Sequence, residues 1–218
     1  MHSAAHVSRF AFAAVLFSAA TLCAQPPGGQ TQPEFIRQGR QLEREGKLQE
    51  ALAVYRNELQ ASPDSPAANN AAGVVLDLMR KGAEARQYFA KAIQTAPTPQ
   101  AKAQAHRSMA MSYAFEGDCG NAAKYEQLAI DYWTTAKDFY QQGELADEAA
   151  RVCIDAGDLD AASQWYKKGH DSGLQEPGIK PDRKDLWEFR WEHAQARIAA
   201  RHPGRGAETR GHGQGHPR

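Results

Sequence analysis

Apolar side chains recur at three- and four-residue intervals through most of the chain between residues 34 and 200. This spacing places them on one face of an α-helix. Glycine, proline and aspartate interrupt the pattern at regular distances, and these residues end and restart helices. The pattern therefore predicts an all-α protein. The predicted helices cover residues 34–45, 48–61, 66–80, 83–95, 101–116, 119–134, 137–156, 159–170 and 185–200.

Five positions repeat with a spacing of 34 residues. In order, they carry a small residue, a large apolar residue, a second small residue, an aromatic ring and a proline. The first set is Gly39, Leu42, Ala51, Tyr55 and Pro63, and the second is Gly73, Leu76, Ala85, Phe89 and Pro97. A fixed period of this length is typical of stacked helical units.

Two further sets follow with more variation. In the third set the aromatic residue, Tyr125, lies one place early, and Glu126 occupies the usual aromatic position. The other members of the third set are Ala110, Tyr113, Gly117, Ala122 and Ala129, and the fourth set is Ala150, Cys153, Gly157, Ala162, Tyr166 and Gly169. We number these units one to four.

This pattern resembles the tetratricopeptide repeat over about residues 33–170. The resemblance implies an α-solenoid of antiparallel helix hairpins over residues 34–200, with about four units and a C-terminal helix. Small residues are expected where the two helices of a unit cross most closely, because larger side chains would push the helices apart. Each aromatic ring is expected to fill the wider space towards the next unit. Glycines at the ends of the first helices are expected to stop them: Gly46, Gly117 and Gly157.

The last predicted helix, 185–200, has two interpretations. It could cover the exposed end of the stack, as a final helix does in many repeat arrays, or it could be the first helix of a fifth unit. The face predicted to pack carries Leu186, Phe189, Trp191, Ala194 and Ile198.

The N-terminus has the features of a secretory signal. Arg9 precedes an apolar run, 10–22, which is too short for a permanent membrane anchor. We expect cleavage after Ala24, with Ala20 as the second choice and a lipoprotein signal at Cys23 as a minor alternative. Residues 1–24 are then the signal peptide and 25–33 a flexible linker. The mature protein is expected to be periplasmic or secreted, with no membrane span.

Two cysteines remain after this cleavage, Cys119 and Cys153. Neither belongs to a C-x-x-C pair, so a redox or zinc motif is not indicated. Cys119 begins the second helix of unit three, and Cys153 lies late in the first helix of unit four. Because adjacent helices are antiparallel, both residues should lie on the same side of the stack. They are either a disulfide, which an oxidising compartment permits, or two buried thiols.

From about residue 201 to residue 218 the composition changes to glycine, histidine, arginine and proline. A disordered tail is the interpretation that this composition favours. Metal binding by His202, His212 and His216 is a weaker alternative, because their spacing fits no compact ligand set. A third is a shifted reading frame near residue 201, since the alternative frame permits a helical sequence.

The charge and the motifs exclude several functions. Residues 25–200 contain 21 basic and 25 acidic residues, a net charge of −4, whereas nucleic acids and anionic membranes need a basic surface. The chain has no catalytic, phosphate-binding or dinucleotide-binding motif. The carboxylates Glu50, Glu84 and Glu126 are expected to be solvated. We therefore expect no enzyme activity, no cofactor and no metal.

The resemblance also implies where a partner would bind. In tetratricopeptide arrays the first helices of successive units line a concave groove that holds a peptide or protein. The corresponding positions are Ile36, Arg40 and Arg44 in unit one, Asn70, Val74 and Asp77 in unit two, Arg107, Met111 and Phe115 in unit three, and Asp147, Arg151 and Ile154 in unit four. Of these, Arg40, Asn70, Asp77, Arg107, Met111, Phe115 and Arg151 are the predicted groove residues, and Arg107, Met111 and Phe115 are the favoured contact patch. A carboxylate clamp is not indicated, because only Asn70 lies near one of its positions.

The sequence therefore favours an exported protein-binding module that acts as a scaffold or assembly factor. The alternative is a structural subunit that self-associates into a homo-oligomer through the open end of its stack, without a separate client.

Overall fold

A computed structural model describes residues 32–201, and within this range the chain forms nine α-helices and no strand. The predicted signal peptide, most of the linker and the tail from residue 202 lie outside the described residues. The helices are α1 (Glu34–Arg44), α2 (Leu48–Ala61), α3 (Pro66–Leu78), α4 (Gly82–Thr95), α5 (Pro99–Phe115), α6 (Cys119–Thr135), α7 (Phe139–Ala156), α8 (Leu159–Leu174) and α9 (Pro181–Arg201). Units one to four are therefore the pairs α1–α2, α3–α4, α5–α6 and α7–α8.

Helix ends are specified by short-range chemistry. The side chains of Asp118, Asp138 and Asp158 each accept a hydrogen bond from the backbone N–H three residues later, which caps α6, α7 and α8. The predicted stop at Gly157 is confirmed, since its φ of +84° lies in the left-handed region that favours glycine. Gly46 and Gly117 have the same geometry. In unit two, Arg80 adopts a φ of +61° at the equivalent place.

Small residues allow the paired helices to approach closely. A Cβ on Gly39 would lie 2.2 Å from Cζ of the Tyr55 ring, and a Cβ on Gly73 would lie 2.5 Å from Cε1 of Phe89. Both rings are buried. In units one and two the aromatic ring therefore packs on the glycine of its own unit, whereas the sequence predicted that it would fill the space towards the next unit. The predicted fold, an all-α solenoid of antiparallel hairpins, is confirmed.

Unit three replaces this pairing with a stack of rings. Tyr125, the early aromatic residue, lies 5.7 Å from the Tyr113 ring and 6.0 Å from the His106 ring, measured between centroids. Glu126 takes the position of the missing aromatic ring and is buried. The expectation that Glu126 is solvated is wrong, because α6 keeps the helical register of the other repeat units and turns this position into the core.

The last helix packs through part of the predicted face, together with a residue that was not predicted, Trp187. Trp187 is fully buried, while Leu186 and Phe189 are exposed. The physical reason is the pair of glycines beneath the indole, since a Cβ on Gly173 would lie 2.2 Å from Trp187 Cε2 and one on Gly143 would lie 2.4 Å from its Cη2. The space over α7 and α8 is therefore shaped for a tryptophan, and Trp187 fills it, while Leu186 and Phe189 face away. Ala194, Trp191 and Ile198 pack as predicted.

A disulfide joins units three and four. Cys119 at the start of α6 is bonded to Cys153 in α7, with their Cα atoms 4.8 Å apart.

Among the helices within residues 32–201, none combines the length and the apolar composition that a membrane span requires.

Candidate functional site

Three large apolar side chains lie exposed on the face formed by α3 and α5. They are Leu78, Met111 and Phe115, with 50%, 39% and 65% of their surface exposed. We call these three residues the apolar patch. Leu78 ends α3 and Phe115 ends α5, so two consecutive first helices each present an apolar side chain at the same end. Contiguous exposed apolar residues of this kind mark interaction sites more often than isolated ones do.

Two cavities adjoin the apolar patch. One has a volume of about 440 Å³, and its walls are Asp77, Leu78, Arg80, Gly82, Ser112, Phe115 and Glu116. The other has a volume of about 420 Å³, and its walls are Val74, Asp77, Leu78, Phe89, Gln104, Arg107, Ser108, Met111 and Phe115. Asp77, Leu78 and Phe115 line both, so together they form the boundary between the two cavities.

Asp77 is the polar group at the centre of this face. Its carboxylate Oδ1 accepts a hydrogen bond of 2.9 Å from the hydroxyl of Ser112, which connects α3 to α5. Burial raises the pKa of Asp77, while the Ser112 hydrogen bond and the charge of Arg86 act in the opposite direction. Arg86 pairs with Glu116 at 3.0 Å. Arg86 and Glu116 thus compensate each other, whereas Arg80, which also lines the first cavity, is exposed and has no ion pair within residues 32–201.

Arg107 forms the other edge of the face. Its guanidinium donates two hydrogen bonds to the carboxylate of Glu148 on α7, one of them 2.9 Å long from Nε to Oε2. Half of the Arg107 side chain remains exposed. A third cavity of about 260 Å³ lies between Arg107 and α7, with walls that include Gln141, Leu145 and Trp133. Arg107 therefore links units three and four and is not an unpaired cation available to a ligand.

A buried carboxyl group lies next to this ion pair. Glu126 is only 2% exposed, and its pKa is raised to about 9, first by burial and then by the charge of Glu148, against the effects of Arg107 and Arg151. Its Oε2 has no hydrogen-bond partner among the described residues. Glu126 is therefore uncharged at neutral pH. The sequence signal that could have identified it was its place in the repeat, where an aromatic ring is usual.

Solved structures share this arrangement of helices. The chain is similar to BtubC (BKLC) from P. vanneervenii (TM-score 0.57, 12% identity, 84% of this chain and 83% of that one). It is also similar to the MamA protein (0.50, 15%, 84% and 96%) and to PilW, a type IV pilus biogenesis factor (0.53, 20%, 78% and 77%). All three are tetratricopeptide-type structures. The fold is that of a tetratricopeptide-repeat solenoid. No protein-family model and no curated protein matches the chain.

The other predicted groove residues are spread along the first helices of this tetratricopeptide solenoid. Arg40 on α1 and Arg151 on α7 are exposed, and Asn70 on α3 is half-buried, with Oδ1 lacking a partner in the described range. Ile36, Asp147 and Ile154 are buried, so the expectation that they line a groove is wrong. Asp147 lies near Arg190 of α9, with 3.6 Å between carboxylate and guanidinium, because α9 covers that part of α7.

The same face has no arrangement suited to metal binding. Within residues 32–201, no group of three or more histidine, cysteine, aspartate or glutamate side chains could hold a metal ion. What the face offers is apolar surface with two adjoining cavities, and this can bind apolar side chains of another molecule.

Proposed function

We propose that this protein binds a partner protein through the α3–α5 face and acts as a scaffold or assembly factor. The apolar patch beside two cavities carries the proposal, because three large apolar side chains exposed at one place cost free energy unless a partner covers them. The fold supports this interpretation, since a stack of hairpins exposes an extended row of first helices.

The chemistry of the face restricts the segment that it would bind. Arg86 is paired with Glu116 and Arg107 with Glu148, while Arg80 in the wall of the first cavity is exposed and has no ion-pair partner in the described range. A partner therefore gains little from a high net charge, although Arg80 can pair with one acidic side chain. Each cavity, at about 440 and 420 Å³, can hold at least one large side chain. We infer a helical or extended segment with two apolar anchor residues, one on each side of Phe115.

Substitution of Phe115 tests the proposal. We expect Phe115→Glu to weaken capture of the partner by at least about tenfold, because a carboxylate would replace the most exposed apolar side chain of the patch. The partner would be identified by affinity capture with the full exported chain and mass spectrometry, and its affinity measured by calorimetry.

Leu128→Glu is the matched control for this substitution. Leu128 lies on α6, the second helix of its unit, and is as exposed as Met111, at 40% against 39%. The control should bind the partner as the wild type does. Equal binding by the Phe115→Glu and wild-type chains, or equal loss with both variants, would overturn the assignment of the face.

We further propose that the protein acts outside the cytoplasm, after removal of residues 1–24. The Cys119–Cys153 disulfide supports this location, since disulfides persist in oxidising compartments and are rare in the cytosol. The signal-like composition of the N-terminus supports it independently.

Intact-mass measurement checks the location and the processing together. Protein from the extracytoplasmic fraction should begin at Gln25, and alkylation without a reductant should add no mass at Cys119 or Cys153. A chain that keeps residues 1–24, or two free thiols, would contradict the proposal. An acylated N-terminus at Cys23 would establish the lipoprotein alternative.

A further inference from the structure

The side of α9 that faces away from α7 and α8 carries a row of exposed residues. Leu186 and Phe189 are 39% and 63% exposed, and His193, Ala196 and Ala200 follow on the same side at alternating spacings of three and four. The Phe189 ring stacks on the imidazole of His193, with centroids 6.0 Å apart and planes within 9°. We call these five residues the α9 stripe.

The apolar run 10–22 would be available to cover the α9 stripe if residues 1–24 were kept, so this inference rests on their proposed removal. The segments 25–33 and 202–218 contain no leucine, isoleucine, valine, methionine, phenylalanine, tyrosine or tryptophan. Apolar surface is buried favourably only against other apolar atoms. The helices α1 to α8 already pack against one another in consecutive pairs. Once residues 1–24 are removed, the segments 25–33 and 202–218 supply no large apolar side chain, and we infer that another molecule covers the stripe.

The order of side-chain sizes along the stripe indicates which molecule this is. The bulky residues, Leu186 and Phe189, occupy its N-terminal half, and the two alanines occupy its C-terminal half. A parallel copy of the helix would place bulky residues against bulky ones and leave a gap between the alanines. An antiparallel copy places bulky side chains opposite alanines, and this fills the space that close helix packing requires.

We propose that two copies of this protein associate through the α9 stripe, with the helices antiparallel and the twofold axis near His193. Such a contact is isologous, since the same surface is used by both copies and the assembly closes as a dimer. The α9 stripe shares no residue with the apolar patch on α3 and α5, so this inference does not depend on the proposed partner. A dimer would carry two partner-binding faces and could hold two partner segments at once.

The oligomeric state of the full exported chain tests the proposal, by light scattering after size exclusion and by sedimentation at micromolar concentrations. The wild type should be a dimer. Phe189→Glu should raise the dimer dissociation constant by at least about tenfold, because it places two carboxylates in an apolar contact.

Phe115→Glu is the matched control, as it changes the same residue type at nearly equal exposure, 65% against 63%. The control should remain a dimer.

Cysteine cross-linking tests the orientation. A mixture of Leu186→Cys and Ala200→Cys chains should form a disulfide between the two variants, because antiparallel helices bring position 186 next to position 200 of the partner copy. The Leu186→Cys chain alone should form little disulfide-linked dimer. The native cysteines are already bonded to each other.

Four results would overturn the proposal. They are a monomeric wild type at the highest concentration, a dimer that Phe189→Glu leaves intact, self-linked Leu186→Cys chains, and a dimer that Phe115→Glu dissociates. Partner capture by the Phe189→Glu chain separates the two proposals. Retained capture with a lost dimer supports both, whereas a dimer that Phe115→Glu dissociates would place the self-contact on the α3–α5 face.

Discussion

Replacing Trp187 with alanine should lower the free energy of unfolding by about 3–5 kcal/mol, the range for removing a large aromatic side chain from a core. The indole is fully buried and lies over Gly143 and Gly173. It also meets Tyr140 edge-on, with ring centroids 5.9 Å apart. Because Trp187 Nε1 has no protein partner in the described range, the loss would be one of packing, with no hydrogen bond broken. Thermal and urea denaturation would measure it.

Gln195→Ala is the control on the same helix, since Gln195 is exposed and such changes usually alter stability by less than about 0.5 kcal/mol. A Trp187→Ala chain with an unchanged midpoint would mean that α9 is not held by this contact. Two separate transitions in that variant would mean that α9 unfolds before the rest of the stack.

Glu126→Gln should stabilise the protein by about 2–4 kcal/mol near pH 8 and by little near pH 4.5. The pKa of the Glu126 carboxyl is raised from 4.5 to about 9 in the folded chain, first because the group is buried. Between these values the unfolded chain releases its proton while the folded chain keeps it, so stability falls as pH rises. The amide of glutamine has no proton to lose and removes this dependence.

Urea denaturation at several pH values would measure the effect, with Glu50→Gln as the control because Glu50 is exposed on α2. The control should follow the wild type at every pH. A Glu126→Gln chain with the same pH dependence as the wild type would show that Glu126 is ionised, and therefore hydrated, in the folded protein.

In the Glu126→Gln chain, Asp147 should still make the stability fall as pH rises, by a smaller amount than Glu126 does in the wild type. Burial raises the pKa of Asp147 from 3.8 to about 6, against the opposite effects of Arg190 and Arg151. Its contribution to stability is therefore complete at acidic pH and lost as pH rises towards about 6. Above about pH 6, the further fall of stability with pH in the wild type comes from Glu126.

Repeat spacing predicts the backbone of this protein well and its surfaces less well. The need for a small residue at Gly73 was predicted from residue type and period, because close helix contact tolerates only a small side chain there. Its contact with the Phe89 ring was not predicted, since the ring was expected to face the next unit. The buried face of α9 was predicted only in part. Trp187, Trp191, Ala194 and Ile198 follow one another at spacings of four, three and four, so helical periodicity could have identified Trp187 as buried. The fit of Trp187 over glycines 14 and 44 residues earlier leaves no local signal in the sequence.

The candidate site was likewise predicted only in part. Met111 and Phe115 were predicted as contact residues and lie exposed beside cavities. Leu78 was not predicted, because it lies one residue beyond the groove position carried over at Asp77. Pairing of Arg107 with Glu148 joins residues 41 positions apart, and a long-range ion pair leaves no periodic signal in a sequence.

The disulfide has a mechanical consequence for the proposed binding face. In a stack where each hairpin touches mainly its neighbours, opening starts at the ends and moves inward. The Cys119–Cys153 bond prevents units three and four from separating, while units one and two have no such bond within the described chain. Fraying from the N-terminal end would therefore carry away Leu78 and leave Met111 and Phe115 in place. A bound segment that spans α3 and α5 would hold units two and three together. This stabilisation would be measurable as slower hydrogen exchange in α1 to α4.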